Sequence, residues 1–199
     1  MQRIALTLFF FGTVWKCTAQ YQWKLQRSSE GIKVFVSDVA GSSFKAVKVE
    51  CTFTGTYGKL ISILTNVPQH NKWIYNCKTS YLLKKVGPLD IIYYSETSMP
   101  WPISNRDAVI QLEIDTENLP NHLTISGKGQ PKYIPEKQGK ARVPHYVANW
   151  RVTMPTPQTI SITYILQIDP GGIPPGLSNM FVDKGPFETF KNLREMLKK

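Results

Sequence analysis

Apolar and polar side chains alternate along much of the chain. Residues 47–54 run valine, lysine, valine, glutamate, cysteine, threonine, phenylalanine and threonine, and residues 110–115 and 160–164 repeat the alternation. A period of two predicts strands with one buried face. Further extended segments are predicted at Tyr81–Leu83, Ile91–Tyr94, Leu123–Ile125 and Tyr146–Val152. With turn residues between them, these segments predict an antiparallel meander of about eight or nine strands.

Two segments depart from this alternation and predict helices. Thr56 is placed to cap a helix whose apolar residues recur at helical spacing, and Pro68 ends it. From about Pro175 onward, apolar residues recur every three or four positions, at Leu177, Phe181, Phe187, Phe190, Leu193 and Leu197. This stripe predicts one amphipathic C-terminal helix, with a break or kink at Gly185-Pro186 because proline disrupts a helix interior.

These elements together predict an α+β fold. A strongly curved antiparallel sheet that wraps around a long C-terminal helix leaves space between the two, and the inner face of the sheet must then cover either the helix or a ligand. The pattern therefore favours an internal hydrophobic cavity.

The size of the chain is that of one domain. It has 199 residues, of which 42% are hydrophobic, enough for one sizeable core but short of two comfortable ones. No apolar run approaches the roughly 20 residues that a membrane-spanning helix needs. We therefore expect a single domain over residues 20–199 that does not span a membrane, and we expect it to be a monomer.

The first 19 residues have the pattern of a secretory signal peptide. A basic start, Met1-Gln2-Arg3, precedes the apolar stretch from Ile4 to Val14, and small residues follow at Cys17-Thr18-Ala19. Cleavage there predicts a periplasmic or secreted protein. The alternative is an N-terminal core helix in a cytoplasmic protein, and the charge of Lys16 close to the cleavage point favours it.

Basic residues outnumber acidic ones. The 24 lysines and arginines against 14 acids give a net charge of +10, and cleavage after residue 19 would remove two of these positive charges and leave +8. The basic residues are scattered, and no recognition-helix or aromatic-basic RNA pattern accompanies them, so nucleic-acid binding is not expected. Transient contact with an anionic membrane surface fits this charge better.

Cysteine and histidine positions leave little room for metal chemistry. Without the leader, Cys51 and Cys77 remain, and they form either one disulfide or two buried free thiols. His70, His122 and His145 lie far apart and lack metal-type spacing with any cysteine or acid. Neither a metal nor a cofactor is expected.

Four segments, in order along the chain, resemble signatures of a known family. They are Gly31–Phe35, Pro102–Val109, Asn149–Pro155 and Ile168–Pro174. Together with a helical insertion after the third strand and a long terminal helix, they are similar to the StAR-related lipid transfer (START) family over about residues 22–198. The resemblance implies the helix-grip fold of START and Bet v 1-like proteins, in which the sheet and the terminal helix enclose one apolar ligand.

The resemblance also implies a gate. In the family, the loop before an Arg-Asp pair closes the tunnel together with the terminal helix, here around Phe181. The apolar residues of this loop are Met99, Trp101 and Ile103. The pair that follows it, Arg106 and Asp107, is expected to act as an ion pair that holds the fold, the alternative being that it faces a lipid headgroup.

The expected lining differs from that of the cholesterol-binding branch of the family. In that branch a buried acid and a basic residue lie on adjacent strands, and ungapped counting places Tyr93 and Leu112 at those positions. No ion pair is therefore expected in the cavity, and polar contacts would come from tyrosine, serine or histidine. The expected ligand-binding residues are Tyr93, Ser95, Leu112, His145, Tyr164, Met180, Phe181 and Phe187.

The function that the resemblance implies is the binding of one lipid or other apolar molecule, which is carried or sensed. The alternative is a polyketide cyclase or aromatase that uses the same cavity and needs an acid–base pair in it. The sequence offers no obvious pair of this kind, and no G-x-S-x-G, P-loop or dinucleotide motif, so we do not expect an enzyme. A ligand-free interaction module on the same fold is a third interpretation, which predicts a filled interior.

Overall fold

One sheet of ten strands dominates the computed structural model, which describes residues 21–180 and 182–199. The strands are β1 Lys24–Ser29, β2 Ile32–Ser37, β3 Ala46–Thr54, β4 Cys77–Lys85, β5 Asp90–Thr97, β6 Asn105–Asp115, β7 Leu123–Gly129, β8 Lys140–Arg142, β9 His145–Thr156 and β10 Thr159–Asp169. The alternating segments are all strands, and the predicted number was slightly low. The short β8 has only three residues, too few for a period of two to be visible.

The sheet consists of two antiparallel meanders. Its strand order is β1-β2-β3-β10-β9-β7-β6-β5-β4, with β8 paired in parallel to the start of β6. The strands β1 to β3 form one meander, and β4 to β10 form the other. The last strand of the second meander pairs with β3 from Thr159↔Thr54 to Leu166↔Val47, which joins the two into one surface. The order is that of the predicted meander except for the crossing from β3 to the far edge at β4.

The helical insertion after β3 lies where the sequence predicts it. Helix α1 covers Tyr57–Thr65, and the Thr56 hydroxyl accepts a hydrogen bond of 3.2 Å from the Lys59 amide, which confirms the predicted cap. A 3₁₀ helix, Val67–Lys72, follows directly and has its proline in the first turn. Both helices contribute buried apolar side chains to the main core.

The C-terminal region contains two helices, and the break between them is not at the predicted place. Helix α2 covers Pro175–Met180 and α3 covers Lys184–Lys198, so the helix is broken as predicted, but the break precedes Lys184 and does not lie at Gly185-Pro186. Both of those residues lie in the first turn of α3. Amides in a first turn have no partner within the helix, so a proline is tolerated there.

Helix α3 buries one face against the inner surface of the sheet. Its buried side chains are Phe187, Phe190, Leu193 and Leu197, with exposed fractions between 0 and 6%. Each contributes about 1.5–3 kcal/mol when it is removed from water. Phe190 also packs in an aromatic cluster with Trp150 and Tyr164, with ring centroids 4.6–5.2 Å apart.

Ion pairs to the first hairpin hold both halves of α3. Arg27 of β1 lies 2.7 Å from the carboxylate of Asp183, just before the helix begins. Near its end, Lys191 and Arg194 contact the carboxylate of Glu30 at 2.8 and 2.7 Å. Pairs this exposed contribute little individually, but they fix the helix against the β1–β2 turn.

The fold also determines the state of the two cysteines, Cys51 and Cys77. Cys51 and Cys77 are both buried and both free in the described part of the chain, so they do not form a disulfide with each other. Burial raises the pKa of the Cys51 thiol.

The predicted signal peptide, residues 1–19, lies outside the described residues. No helix within the described residues is long and apolar enough to cross a bilayer.

Candidate functional site

A partly enclosed cavity lies between the inner face of the sheet and the first half of α3. Its volume is about 290 Å³, and its walls come from β5, β6, β9 and β10, from the segment between α1 and β4, and from α3. Most lining side chains are aliphatic or aromatic, and none of the described lining residues is aspartate, glutamate, lysine or arginine. The cavity is therefore an apolar site with a few uncharged polar groups.

The structure places three of the predicted ligand-binding residues in this wall. They are Tyr93, Leu112 and Tyr164. Ser95 is half-buried but outside the lining, with its hydroxyl 3.7 Å from the sulfur of Cys77. Phe181 lies outside the described residues, and so does the side chain of Met180.

His145 is not a cavity residue, and its predicted role is wrong. It is exposed at the start of β9, where it borders a surface groove. Successive residues of a strand point to opposite faces. Because Trp150 and Ala148 face the cavity, the residue of matching parity is Tyr146, and Tyr146 does line the cavity. Counting back from Trp150 along β9 in steps of two residues identifies Tyr146 as the cavity residue.

Phe187 is buried, but it also lies outside the cavity wall. The guanidinium carbon of Arg27 sits 4.8 Å above its ring, on the side of the helix that faces the first hairpin. The lining residues of α3 are Gly185, Pro186, Thr189 and Phe190. Phe190, one helical turn after Pro186, is thus the aromatic residue of the predicted stripe that borders the site.

Three tyrosines bring hydroxyl groups to the apolar wall. Tyr93, Tyr146 and Tyr164 come from β5, β9 and β10, and burial raises the pKa of all three. The neighbouring Tyr146 also contributes to the raised pKa of Tyr164, after the larger effect of burial. These groups are neutral at physiological pH and can donate or accept hydrogen bonds.

His70 and Trp73 are lining residues that the sequence reasoning missed. Their exposed fractions are 2% and 3%, and their rings pack edge to face with centroids 5.5 Å apart. Burial lowers the pKa of His70 from 6.5 to about 4, although its bond to the Leu64 carbonyl acts in the opposite direction. His70 is therefore neutral at physiological pH. His70 lies in the 3₁₀ helix and Trp73 in the turn that follows it. Neither element has a sequence periodicity that would identify these residues as part of a site.

Two hydrogen bonds join this segment to α3. The Tyr75 amide donates to the Thr189 hydroxyl at 3.1 Å, and the side-chain amide of Asn192 donates to the Trp73 carbonyl at 3.3 Å. Both partners on α3 lie on the helix face that covers the cavity. The segment after the 3₁₀ helix and the helix itself therefore form one connected side of the cavity.

The predicted gate loop, residues 99–103, projects from one end of the sheet. The Trp101 side chain is 93% exposed at its tip. Asn105 anchors its base, because its side-chain oxygen accepts from the Met99 amide at 3.1 Å and its side-chain amide donates to Glu96 at 2.7 Å. The loop therefore presents an apolar tip on a fixed base.

A larger groove beside this loop has a volume of about 570 Å³, but it is more open to solvent and its walls are mixed polar and apolar, with Arg106, Glu136 and Arg142 among them. Ile103 of the loop and Leu177 of α2 both border it. The predicted contact of the loop with Phe181 lies outside the described residues. Because its wall is more apolar and less open, the smaller cavity is the better candidate for a lipid site.

Arg106 and Asp107 do not pair with each other, which corrects the predicted ion pair. Asp107 instead binds Arg142 of β8 through two hydrogen bonds, 2.8 and 3.1 Å long, with both side chains almost fully buried. Neighbours on a strand point to opposite faces, which prevents a direct Arg-Asp contact between consecutive residues. Loss of one partner of such a pair costs about 3–5 kcal/mol.

Arg106 binds backbone carbonyls on its own face of the sheet. Its guanidinium donates to the carbonyls of Ser104, Pro170 and Gly171, the last at 2.7 Å. Gly171 and Gly172 have φ angles of +68° and +63°, which L side chains adopt at a cost. A Cβ on Gly171 would also lie 3.0 Å from the Arg142 carbonyl. The backbone conformation of the turn into α2 therefore requires glycine at these two positions, whether or not a ligand binds nearby.

Comparison with known proteins agrees with this architecture. The family model described as START domain matches residues 16–199. An uncharacterised protein of Pseudomonas aeruginosa is 34% identical over 201 residues, covering 100% of this chain and 98% of its own length. The crystal structure of a STAR-related lipid transfer protein from Xanthomonas axonopodis is 31% identical, with a TM-score of 0.82 over 89% of this chain and 99% of that one. The chain belongs to the START domain family.

A more distant structural neighbour is described as an aromatase/cyclase and not as a lipid transfer protein. The Zhui aromatase/cyclase from Streptomyces superimposes with a TM-score of 0.53 over 76% of this chain and 90% of that one, at 10% identity. A likeness at this level shows the shared helix-grip fold alone.

The lowered pKa of His70 predicts an acid-sensitive fold. In the unfolded chain this histidine takes up a proton near pH 6.5, whereas in the folded chain it does so only at about 4. The free energy of unfolding should therefore be highest above pH 6.5 and fall by about 3 kcal/mol as the pH drops towards 4. Urea denaturation at a series of pH values measures this loss.

His70→Gln should flatten the curve between pH 6.5 and 4, while the matched variant His145→Gln, at an exposed position, should keep the wild-type slope. Equal slopes in the wild type and His70→Gln would contradict the assignment.

Proposed function

We propose that this protein binds one lipid or other apolar molecule in the cavity between the sheet and α3, and that it carries or senses that molecule. The observation that supports this most directly is the uncharged and largely apolar wall of the partly enclosed cavity. Apolar enclosure with a few fixed polar groups is typical of small-molecule sites. The 31% identical relative described as a STAR-related lipid transfer protein is consistent with this proposal.

The volume of the cavity limits what it can hold in this conformation. At about 30 Å³ for each water molecule, 290 Å³ corresponds to about ten waters, near the lower end of the range for ligand sites. A compact molecule or a single chain fits. A lipid with two acyl chains would require α3 to move away from the sheet.

The arrangement of α3 suits such a movement. Its first half borders the cavity with Gly185, Pro186, Thr189 and Phe190, while Leu193 and Leu197 pack in the main core. The break before Lys184 separates this half from α2. We therefore propose that the start of α3 and the 99–103 loop together form the gate.

Binding is a better supported function than catalysis. A cyclase needs an acid–base pair positioned in the cavity, and the described lining offers His70, neutral with a pKa of about 4, and tyrosines whose pKa values burial raises further. The cavity likewise supports a ligand-binding protein over an interaction module with a filled interior. We propose that the protein is not an enzyme.

The direct test is native mass spectrometry of the purified protein, followed by organic extraction and identification of the released molecules. We expect a fraction of the protein to carry one bound apolar molecule per chain, because an apolar ligand leaves a closed cavity slowly. An interior that takes up no hydrophobic compound, even after incubation with a lipid extract, would contradict the proposal.

Two phenylalanines of α3 separate cavity function from stability. Phe190→Ala and Phe187→Ala both remove a buried ring and should each lower the free energy of unfolding by about 3–5 kcal/mol. Only Phe190 borders the cavity, so only its loss should speed the release of bound ligand beyond the wild-type rate. Chemical denaturation and ligand-release kinetics measure the two effects, and equally fast release in both variants would mean that α3 acts only through general stability.

We further propose that the 99–103 loop meets anionic membranes. The exposed Trp101 ring has the amphipathic character of residues that lie at the lipid headgroup level. Near the base of the loop, Lys78 and Lys140 both pair with Glu96, at 3.4 and 2.6 Å, which leaves one net positive charge there. The overall charge of +10 adds a longer-range attraction that salt screens.

Trp101→Ala should slow ligand exchange with anionic vesicles while leaving the melting temperature nearly unchanged, because the ring is 93% exposed. Raised salt should slow the wild type in the same assay. Leu119→Ala, which removes a 37% exposed side chain beyond the opposite end of β6, is the control and should behave as the wild type. Unchanged exchange in Trp101→Ala would exclude the docking role.

A further inference from the structure

Two buried polar atoms in the cavity wall have no hydrogen-bond partner among the described residues. They are Nδ1 of His70 and Nε1 of Trp73, and both side chains line the cavity. Buried polar groups in proteins are almost always paired, and an unpaired one costs free energy. Two such atoms on neighbouring rings in an otherwise apolar wall suggest that a bound molecule completes the pairing.

The chemistry of the two atoms is opposite. The Nε2 of His70 lies 2.9 Å from the Leu64 carbonyl oxygen, which can only accept, so this nitrogen carries the proton and Nδ1 offers a lone pair. The indole Nε1 of Trp73 can only donate. The cavity wall therefore contains one unpaired acceptor and one unpaired donor on neighbouring rings among the described residues.

A single hydroxyl group satisfies both. Its oxygen accepts from an N–H and its proton is donated to a lone pair, and the two rings are direct neighbours with centroids 5.5 Å apart. An ionised carboxylate or phosphate oxygen can only accept, so it would leave the histidine lone pair unpaired. The described lining also offers no lysine or arginine to balance such a charge.

We infer that the cavity selects a neutral apolar ligand that carries a hydroxyl group, held between the Trp73 N–H and the His70 Nδ1. This inference rests on the proposed function and specifies its ligand class. The low pKa of His70 agrees with it, because the ring stays neutral and keeps its acceptor at physiological pH.

Three probes of one chain length test the inference on the full chain. Isothermal titration at neutral pH would compare decanol, decyl methyl ether and decanoate. The ether accepts a hydrogen bond but cannot donate one, and decanoate carries a charge. Because one good hydrogen bond is gained, we expect decanol to bind about tenfold more tightly than the ether, and decanoate to bind more weakly than either.

Two matched variants locate the effect. Trp73→Phe removes the donor but keeps an aromatic ring, and it should weaken decanol binding several-fold. Trp23→Phe makes the same substitution outside the cavity, at a ring that packs against Tyr21, and should not. Equal losses in the two variants would overturn the assignment to Trp73. The comparison of decanol with the ether uses the wild type, so it stands even if Trp73→Phe folds poorly.

The outcomes separate this inference from the proposed function. Equal affinities for decanol and the ether would overturn the hydroxyl selection while leaving an apolar binding site intact, and a buried water that already pairs both atoms would produce that result. Failure of all three probes, together with no copurifying ligand, would overturn the proposed function as well.

Discussion

The apolar inner face of the sheet has to be removed from water, and the rest of the architecture follows from this constraint. Strands of 11 residues, such as β6 and β10, extend about 36 Å. Helix α3, with 15 residues, is only about 22 Å long. Leu193 and Leu197 fill the space near Gly55 and α1, but the first half of the helix stands over a region that it does not fill. The cavity is the space that remains between the inner face of the sheet and this half of the helix.

The start of β6 organises the end of the sheet nearest the loop. Three consecutive polar side chains there each bind a different segment: Asn105 holds the 99–103 loop, Arg106 holds the turn at Gly171, and Asp107 holds Arg142 of β8. Arg142 in turn donates to three carbonyls of the segment before β8. Buried charges are tolerated at this point because each has several partners.

Local patterns predicted most of the fold and less of the site. Alternation and capping are local properties of the chain, so the strands and the cap at Thr56 could be predicted. Tyr93 and Leu112 followed from ungapped counting against the family, and both line the cavity. His145 does not line it, and strand parity along β9 identifies Tyr146, the next residue, instead. The roles of His70 and Trp73 depend on a 3₁₀ helix and a turn that tertiary contacts bring to the wall, and no periodic signal marks such positions.

Two hydrogen bonds join α3 to the segment after the 3₁₀ helix, two parts of the cavity wall that lie far apart in sequence. Thr189 and Asn192 hold the backbone of Tyr75 and Trp73, so the helix that closes the cavity also positions one of its polar contacts. A movement of the helix away from the sheet, as proposed for the gate, would break both bonds. Ligand entry and the position of the proposed polar contact at Trp73 would then be coupled, and an open form would hold the ligand mainly by apolar contact.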